Sequence, residues 1–187
     1  MAKILDLGCG KRKKSNSIGV DNNPLAGADI VHDLNSFPYP FESSSIDQVY
    51  ADNILEHLDD LIAVMEEIHR ISKPGAQVVI YVPYFRSRWA FIDPTHKHFF
   101  TVESFSYYDP EHENSRLFPY STARFKVEKV AFNEKIEKSG VIGWFINNLI
   151  KRYANKNPKK YESFWSQLFP LDELTFVLRV IKDDNGK

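Results

Sequence analysis

Short apolar runs, each closed by polar or glycine residues, punctuate the first half of the chain. Ile4 to Leu7 ends at Gly8-Cys9-Gly10, and Ile18 to Asp21 ends at Asn22-Asn23-Pro24. Ile30-Val31-His32 leads into Asp33, Ile46 to Ala51 into Asp52-Asn53, and Gln77 to Val82 into Pro83. Such runs suit parallel strands buried on both faces, with functional groups at their C-terminal ends. Between the fourth and fifth runs, Leu61, Val64, Met65, Ile68 and Ile71 recur at helical spacing, and Ile62 widens the stripe. Asp59 and Asp60 precede it, while His69, Arg70 and Lys73 lie near its end, an order that complements the helix dipole. Lys73-Pro74-Gly75 closes it. Strand, helix and strand in this order predict a right-handed parallel crossover.

The second half has a different texture. Tyr81 to Tyr108 is rich in aromatics and carries His96 and His98. Phe125 to Phe132 and Leu174 to Ile181 read as two more strands, the first mixing apolar and polar neighbours as an antiparallel edge strand does. Val141 to Arg152 and Pro158 to Phe169 read as helices between them. The expectation is one α/β domain over residues 1 to 187: a Rossmann-like, doubly wound, mostly parallel seven-stranded sheet. Its last strand is antiparallel, with a helical insertion at about 141 to 169 before it.

Composition narrows the class. At 187 residues with 43% hydrophobic positions, the chain can bury about 70% of its unfolded surface without staples. The single cysteine excludes an intrachain disulfide framework and a cysteine-based zinc cluster. The N-terminus lacks a signal-peptide pattern and no apolar run reaches spanning length, so a soluble, cytoplasmic protein is expected. A net charge of −1 argues against general nucleic-acid affinity.

Three strand ends carry candidate chemistry in chain order. Glycines after a buried strand, in Asp6-Leu7-Gly8-Cys9-Gly10, let the backbone approach a ligand closely. Asp21, with Asn22 beside it, can accept hydrogen bonds from ribose hydroxyls. Asp33 can reach an adenine edge. A nicotinamide enzyme fits poorly, because the third glycine of the dinucleotide fingerprint falls on Lys13, and no Walker loop is present.

ILDLGCG, IGVD, HDL, IDQVYADNILEHL and EIHRISKPGAQVVIYVP, in that order, resemble the class I S-adenosylmethionine (SAM) methyltransferases, and most of all the type 11 group. The resemblance spans residues 3 to 108. It implies SAM as cofactor, with Gly8, Cys9 and Gly10 against its methionine part, Asp21 on the ribose, and Asp33 with Leu34 bordering the adenine. Asn53 matches the position that lines the sulfonium side. One departure stands out. Only KRKKSNS, residues 11 to 17, separates the glycines from the second strand, so the usual first helix is missing or cut by roughly two turns.

Methyl transfer to oxygen or nitrogen needs alignment and the removal of a proton. His57, Asp93 and His96 are the candidates for proton removal; His98 is a weaker one, flanked by Phe99 and Phe100. No metal is expected, since a His96-His98 pair on a loop fixes no coordination geometry. Tyr84, Phe85, Trp89, Phe91, Phe99, Phe100 and Tyr108 divide between an acceptor pocket and ordinary core, and Arg86 and Arg88 could hold an acidic group. The function expected is methylation of an oxygen or nitrogen of a small molecule or sugar. The alternative is a non-catalytic or SAM-binding interaction module on the same fold. Basic residues at Lys151 to Lys160 beside apolar Trp144 to Ile150 leave a minor reading of membrane-surface contact through 141 to 160. An open pocket side leaves room for a homodimer.

Overall fold

The structure, a computed structural model, describes residues 2–133 and 140–182. Seven strands form one sheet: β1 (Ile4–Leu7), β2 (Ser17–Asp21), β3 (Ile30–Val31), β4 (Ile46–Asp52), β5 (Ser72–Pro83), β6 (Phe125–Asn133) and β7 (Glu173–Val180). Their order across the sheet is β3-β2-β1-β4-β5-β7-β6. The first five strands are mutually parallel, and β7 runs antiparallel between β5 and the edge strand β6. This is the Rossmann-like, mostly parallel sheet that the runs of Val, Ile and Leu predict.

The sheet is the molecule's core. Leu5, Leu7, Val49, Ala51, Val78 and Ile80 are almost wholly buried. Helix α1 (Leu61–Ile71) covers part of one face, burying Val64, Met65, Ile68 and Ile71 as its apolar spacing requires. Burial of each large aliphatic side chain is worth about 1.5–3 kcal/mol. The Asp60 carboxylate caps the helix by accepting from the Ala63 N–H at 3.0 Å. The chain passes from Ile71 straight into β5, which starts five residues earlier than its apolar run indicates.

The crossover from β1 to β2 is built differently. Residues 8–16 contain turns and bends but no helix. A parallel crossover normally takes a dozen residues or more. Here nine suffice, because the segment lies directly on β2. A Cβ on Gly19 would come within 2.6 Å of Lys13 Cδ and 2.8 Å of Cys9 Sγ, so only glycine leaves room for it. The expected shortening of the first helix is complete.

Between β6 and β7 the chain forms α4 (Gly140–Lys156), α5 (Pro158–Ser163) and a 3-10 turn (Trp165–Gln167), so the second expected helix breaks after one and a half turns. Tyr161 anchors this insertion: it is fully buried, donates to the Phe169 carbonyl at 2.7 Å and packs edge-on against Phe132. Two short helices, α2 (Trp89–Ile92) and α3 (Glu113–Leu117), lie in the segment between β5 and β6. No helix among the described residues is long and apolar enough to cross a membrane.

Candidate active site

A cavity of about 970 Å³ opens at the C-terminal ends of β1, β4 and β5. One wall is the turn after β1, with Asp6, Gly8, Cys9, Gly10, Lys11, Arg12 and Lys14. Gly8 has φ +63°, and a Cβ there would lie within 2.7 Å of three Ile54 carbons. The turn therefore requires glycine on conformational and steric grounds. Its geometry is fixed by carboxylates. Asp21 accepts from the Gly10 N–H at 2.8 Å, and Asp6 accepts from the Lys14 N–H at 2.7 Å. Burial pushes the Asp6 carboxyl above its ordinary range, opposed by the Lys14 bond and charge.

The floor joins β4 to β5. The Lys14 ammonium donates to Asp52 at 2.7 Å, an ion pair that raises the lysine pKa, and lies 5.3 Å from the Tyr81 ring centroid. Asn53, at φ +51°, donates to Asp52 and to Glu173 of β7. Asp6 and Asp52 beside Lys14, Lys11 and Arg12 supply charges of both signs, the set that recognises a zwitterionic amino-acid group.

The opposite wall comes from the 3-10 turn Leu55–His57 and the segment after β5. The Glu56 carbonyl accepts from the Lys97 and His98 N–H groups at 2.7 and 3.3 Å, stitching the two segments together. This brings His57 and His96 side by side, ring centroids 4.7 Å apart. Glu56 lies beside them, 1% exposed, on the cavity wall.

The hydrogen bonds decide both tautomers. Thr95 Oγ1 donates to Asp93 at 2.7 Å, so at 2.8 Å it accepts from His57 Nδ1. His96 Nδ1 is 3.1 Å from the Ala90 carbonyl, which only accepts. In its neutral form each ring thus carries its proton on Nδ1 and its lone pair on Nε2. Burial, and then the neighbouring His96, hold the His57 pKa below its usual value despite Asp93. The Thr95 bonds hold the Asp93 carboxyl low in turn.

Asp6, Gly8, Cys9, Gly10, Asn53, His57, Asp93 and His96 all meet at this cavity, as does Trp89. The remaining candidates lie elsewhere. Asp21 reaches it only through its bond to Gly10, and its other oxygen accepts from the Asn23 N–H. Asn22 is exposed, Asp33 accepts from Asn35 within its own turn, and Leu34 is buried in the core. His98 is not paired with His96: its Nε2 bonds the Leu58 carbonyl, and it faces a separate cavity with Phe99 and Phe100. Tyr84, Phe100 and Tyr108 are core, while Phe91 and Phe99 stack on each other at the surface. Glu56, Lys14, Asp52, Thr95 and Glu173 belong to the site without being singled out by sequence. Glu56 had a signal, an acid inside the apolar LEHL; Lys14 and Thr95 had none beyond their neighbours.

A family profile described as a methyltransferase domain matches residues 1–118, well over half of the chain. The chain belongs to the methyltransferase-domain family. It is a SAM-dependent methyltransferase, and its cavity lies outside the C-terminal strand ends, where open α/β sheets generally bind ligands. A SAM-dependent methyltransferase from Archaeoglobus fulgidus is 22% identical with a TM-score of 0.57, the alignment covering 95% of this chain and 86% of that one. One from Mesorhizobium loti is 16% identical with a TM-score of 0.56, covering 95% and 90%. The [4+2]-cyclase SpnF, 14% identical with a TM-score of 0.59 over 97% and 76%, shares the fold as well. The same architecture therefore carries different reactions, and the acceptor must be read from the site. No curated protein sequence matches the chain.

Proposed function

We propose that this methyltransferase transfers its methyl group to an oxygen or nitrogen of a small molecule or sugar bound between the glycine turn and the His57–His96 wall. The observation that carries the reading is the histidine pair: two imidazoles with ring centroids 4.7 Å apart, each oriented by a hydrogen bond at Nδ1, both lining the cavity.

SAM supplies a methyl group already activated on a sulfonium, so the protein's work is placement and proton handling. The turn at Gly8 to Gly10 and the charges of Asp6, Lys14 and Asp52 suit the amino-acid end of the cofactor. Asp21 has accepting capacity left for ribose hydroxyls, because a carboxylate has about four lone-pair sites and two are engaged. Asp33 and Leu34 would border the adenine only across the β2–β3 edge, outside the cavity. His57 and His96, with Asp93 fixing the His57 ring through Thr95, assist removal of the acceptor proton. A nucleic-acid acceptor is disfavoured by the net charge of −1.

Incubation with methyl-labelled SAM and a panel of hydroxylated and aminated metabolites tests this. Label should appear in an oxygen or nitrogen acceptor, with turnover lowered at least tenfold in His96→Ala. SAM binding without transfer to any such acceptor would overturn the reading and leave a cofactor-binding module.

A further inference from the structure

We propose that Glu56, His57 and His96 form a binding site for one divalent transition-metal ion on the acceptor wall of the cavity. The inference rests on the acceptor reading above and states how that wall handles the proton. It departs from the sequence-based expectation of no metal, which considered only the His96-His98 pair.

The first observation is proximity. One ligand atom from each of the three side chains lies within 4.8 Å of the other two. Metal–ligand bonds of about 2.0–2.2 Å separate bound ligand atoms by roughly 3.0–3.4 Å, so closure by about 1.5 Å of side-chain rotation completes the cradle. The second is orientation. Histidine ligands characteristically donate the distal N–H to a carbonyl, carboxylate or other acceptor, which fixes the tautomer and aims the lone pair. Both histidines here have that support, His96 through the Ala90 carbonyl and His57 through Thr95 to Asp93. The third is rigidity. The Glu56 backbone carries two hydrogen bonds from the segment holding His96, so the three ligands are held by one connected frame.

The donor set decides the class of ion. Two imidazoles and one carboxylate suit Mn²⁺, Fe²⁺, Co²⁺ or Zn²⁺ rather than the all-oxygen coordination of Ca²⁺ or Mg²⁺. Three protein ligands leave coordination positions open toward the cavity. An acceptor hydroxyl oxygen fits an open position, where the ion's charge lowers its pKa and the proton leaves to water. The new O–CH₃ bond then forms as the S–CH₃ bond breaks, its electron pair passing to sulfur. The products are a methyl ether and S-adenosylhomocysteine. Vicinal hydroxyls, as in a catechol or a sugar diol, offer two oxygens and match two open positions.

The test is titration of metal-stripped protein with Co²⁺, followed by visible absorption and by calorimetry with Mn²⁺ and Zn²⁺. The expected result is one ion per chain, with absorption bands of nitrogen and oxygen coordination. His57→Gln and His96→Gln should each weaken binding at least tenfold, with far-UV circular dichroism and SAM affinity unchanged. Thr95→Val, which touches no ion, should weaken it by a factor of about ten through loss of ring orientation. Absence of saturable one-to-one binding, or equal affinity in a folded His57→Gln/His96→Gln double variant, would overturn the site. Full turnover in metal-free buffer would overturn the metal's role and leave the methyl-transfer reading standing. Tight ion binding without any methyl transfer would sustain the site and sink the acceptor reading.

Discussion

Two parallel crossovers in the same sheet solve one problem by opposite means. From β4 to β5 the chain climbs through α1 and buries Val64, Met65, Ile68 and Ile71 against the strands. From β1 to β2 it uses residues 8–16 and buries almost nothing apolar. Carboxylates do the holding there: Asp6 on the Lys14 N–H, Asp21 on the Gly10 N–H, and Asp29 on Lys13 and the Gly19 N–H. The helical crossover is stabilised by area removed from water. The short one is stabilised by directed bonds to charged acceptors, which are strong individually but exposed to proton competition. A methyltransferase sheet therefore does not need its first helix to return the chain, provided the strand beneath carries glycine.

Perturbing each crossover separately sharpens the contrast. Ile68→Ala removes a fully buried side chain from α1 and should cost about 2–5 kcal/mol in urea unfolding, with SAM affinity preserved in the folded fraction. Gly19→Val drives a side chain into Lys13 and Cys9 and should cost about 1–3 kcal/mol. Unlike Ile68→Ala, it should also weaken SAM binding, because the displaced segment is the glycine turn proposed to hold the cofactor; unchanged calorimetric affinity would contradict this. Asp60→Ala removes the α1 cap and should cost about 1 kcal/mol without touching the cavity.

The smallest effects are in the pH profile, and they separate the crossovers by range. Burial, with Lys182 and Arg124 nearby, lowers the His69 pKa even though its ring bonds the Ile181 carbonyl; Glu66 opposes this weakly. A lowered folded-state value means the unfolded chain takes the proton first. His69's contribution is complete above its ordinary 6.5 and is lost as pH falls from there through the folded value. The bonds from Lys13 and Gly19 lower the Asp29 carboxyl, so its contribution is complete above 3.8 and fades only below that. Thermal unfolding between pH 8 and pH 3 should show the first decline near pH 6.5, shared by His57 and His69, and His69→Gln should shrink that step while leaving the decline below pH 3.8 in place.

Local pattern carried most of the fold. The five buried runs and the Leu61 to Ile71 stripe each encode their own element, because period and burial are local properties. What stayed hidden depends on pairing. The early start of β5 at Ser72 comes from its bridge to Ile46, which is invisible in a run that begins with Lys-Pro-Gly. In the site, the glycine turn, Asn53, Asp93 and the two histidines were legible because they sit at strand ends or in short polar motifs. Glu56 was legible only as an acid among the buried leucines of LEHL, and its role stayed hidden because its partner segment lies forty residues on. The adenine-side residues show the converse. Asp33 and Leu34 stand where the family pattern puts them, yet their side chains go to a local turn and to the core.

Cys9 gives the short crossover a built-in clock. It is the chain's single thiol, 8% exposed, packed over Gly19 at the base of the glycine turn. Burial and the carboxylates of Asp6 and Asp21 raise its pKa, so little thiolate is present to react. Alkylation is therefore slow while the turn is seated on β2. Its rate reports on how often the turn loosens, and a ligand seated on the turn should slow it further.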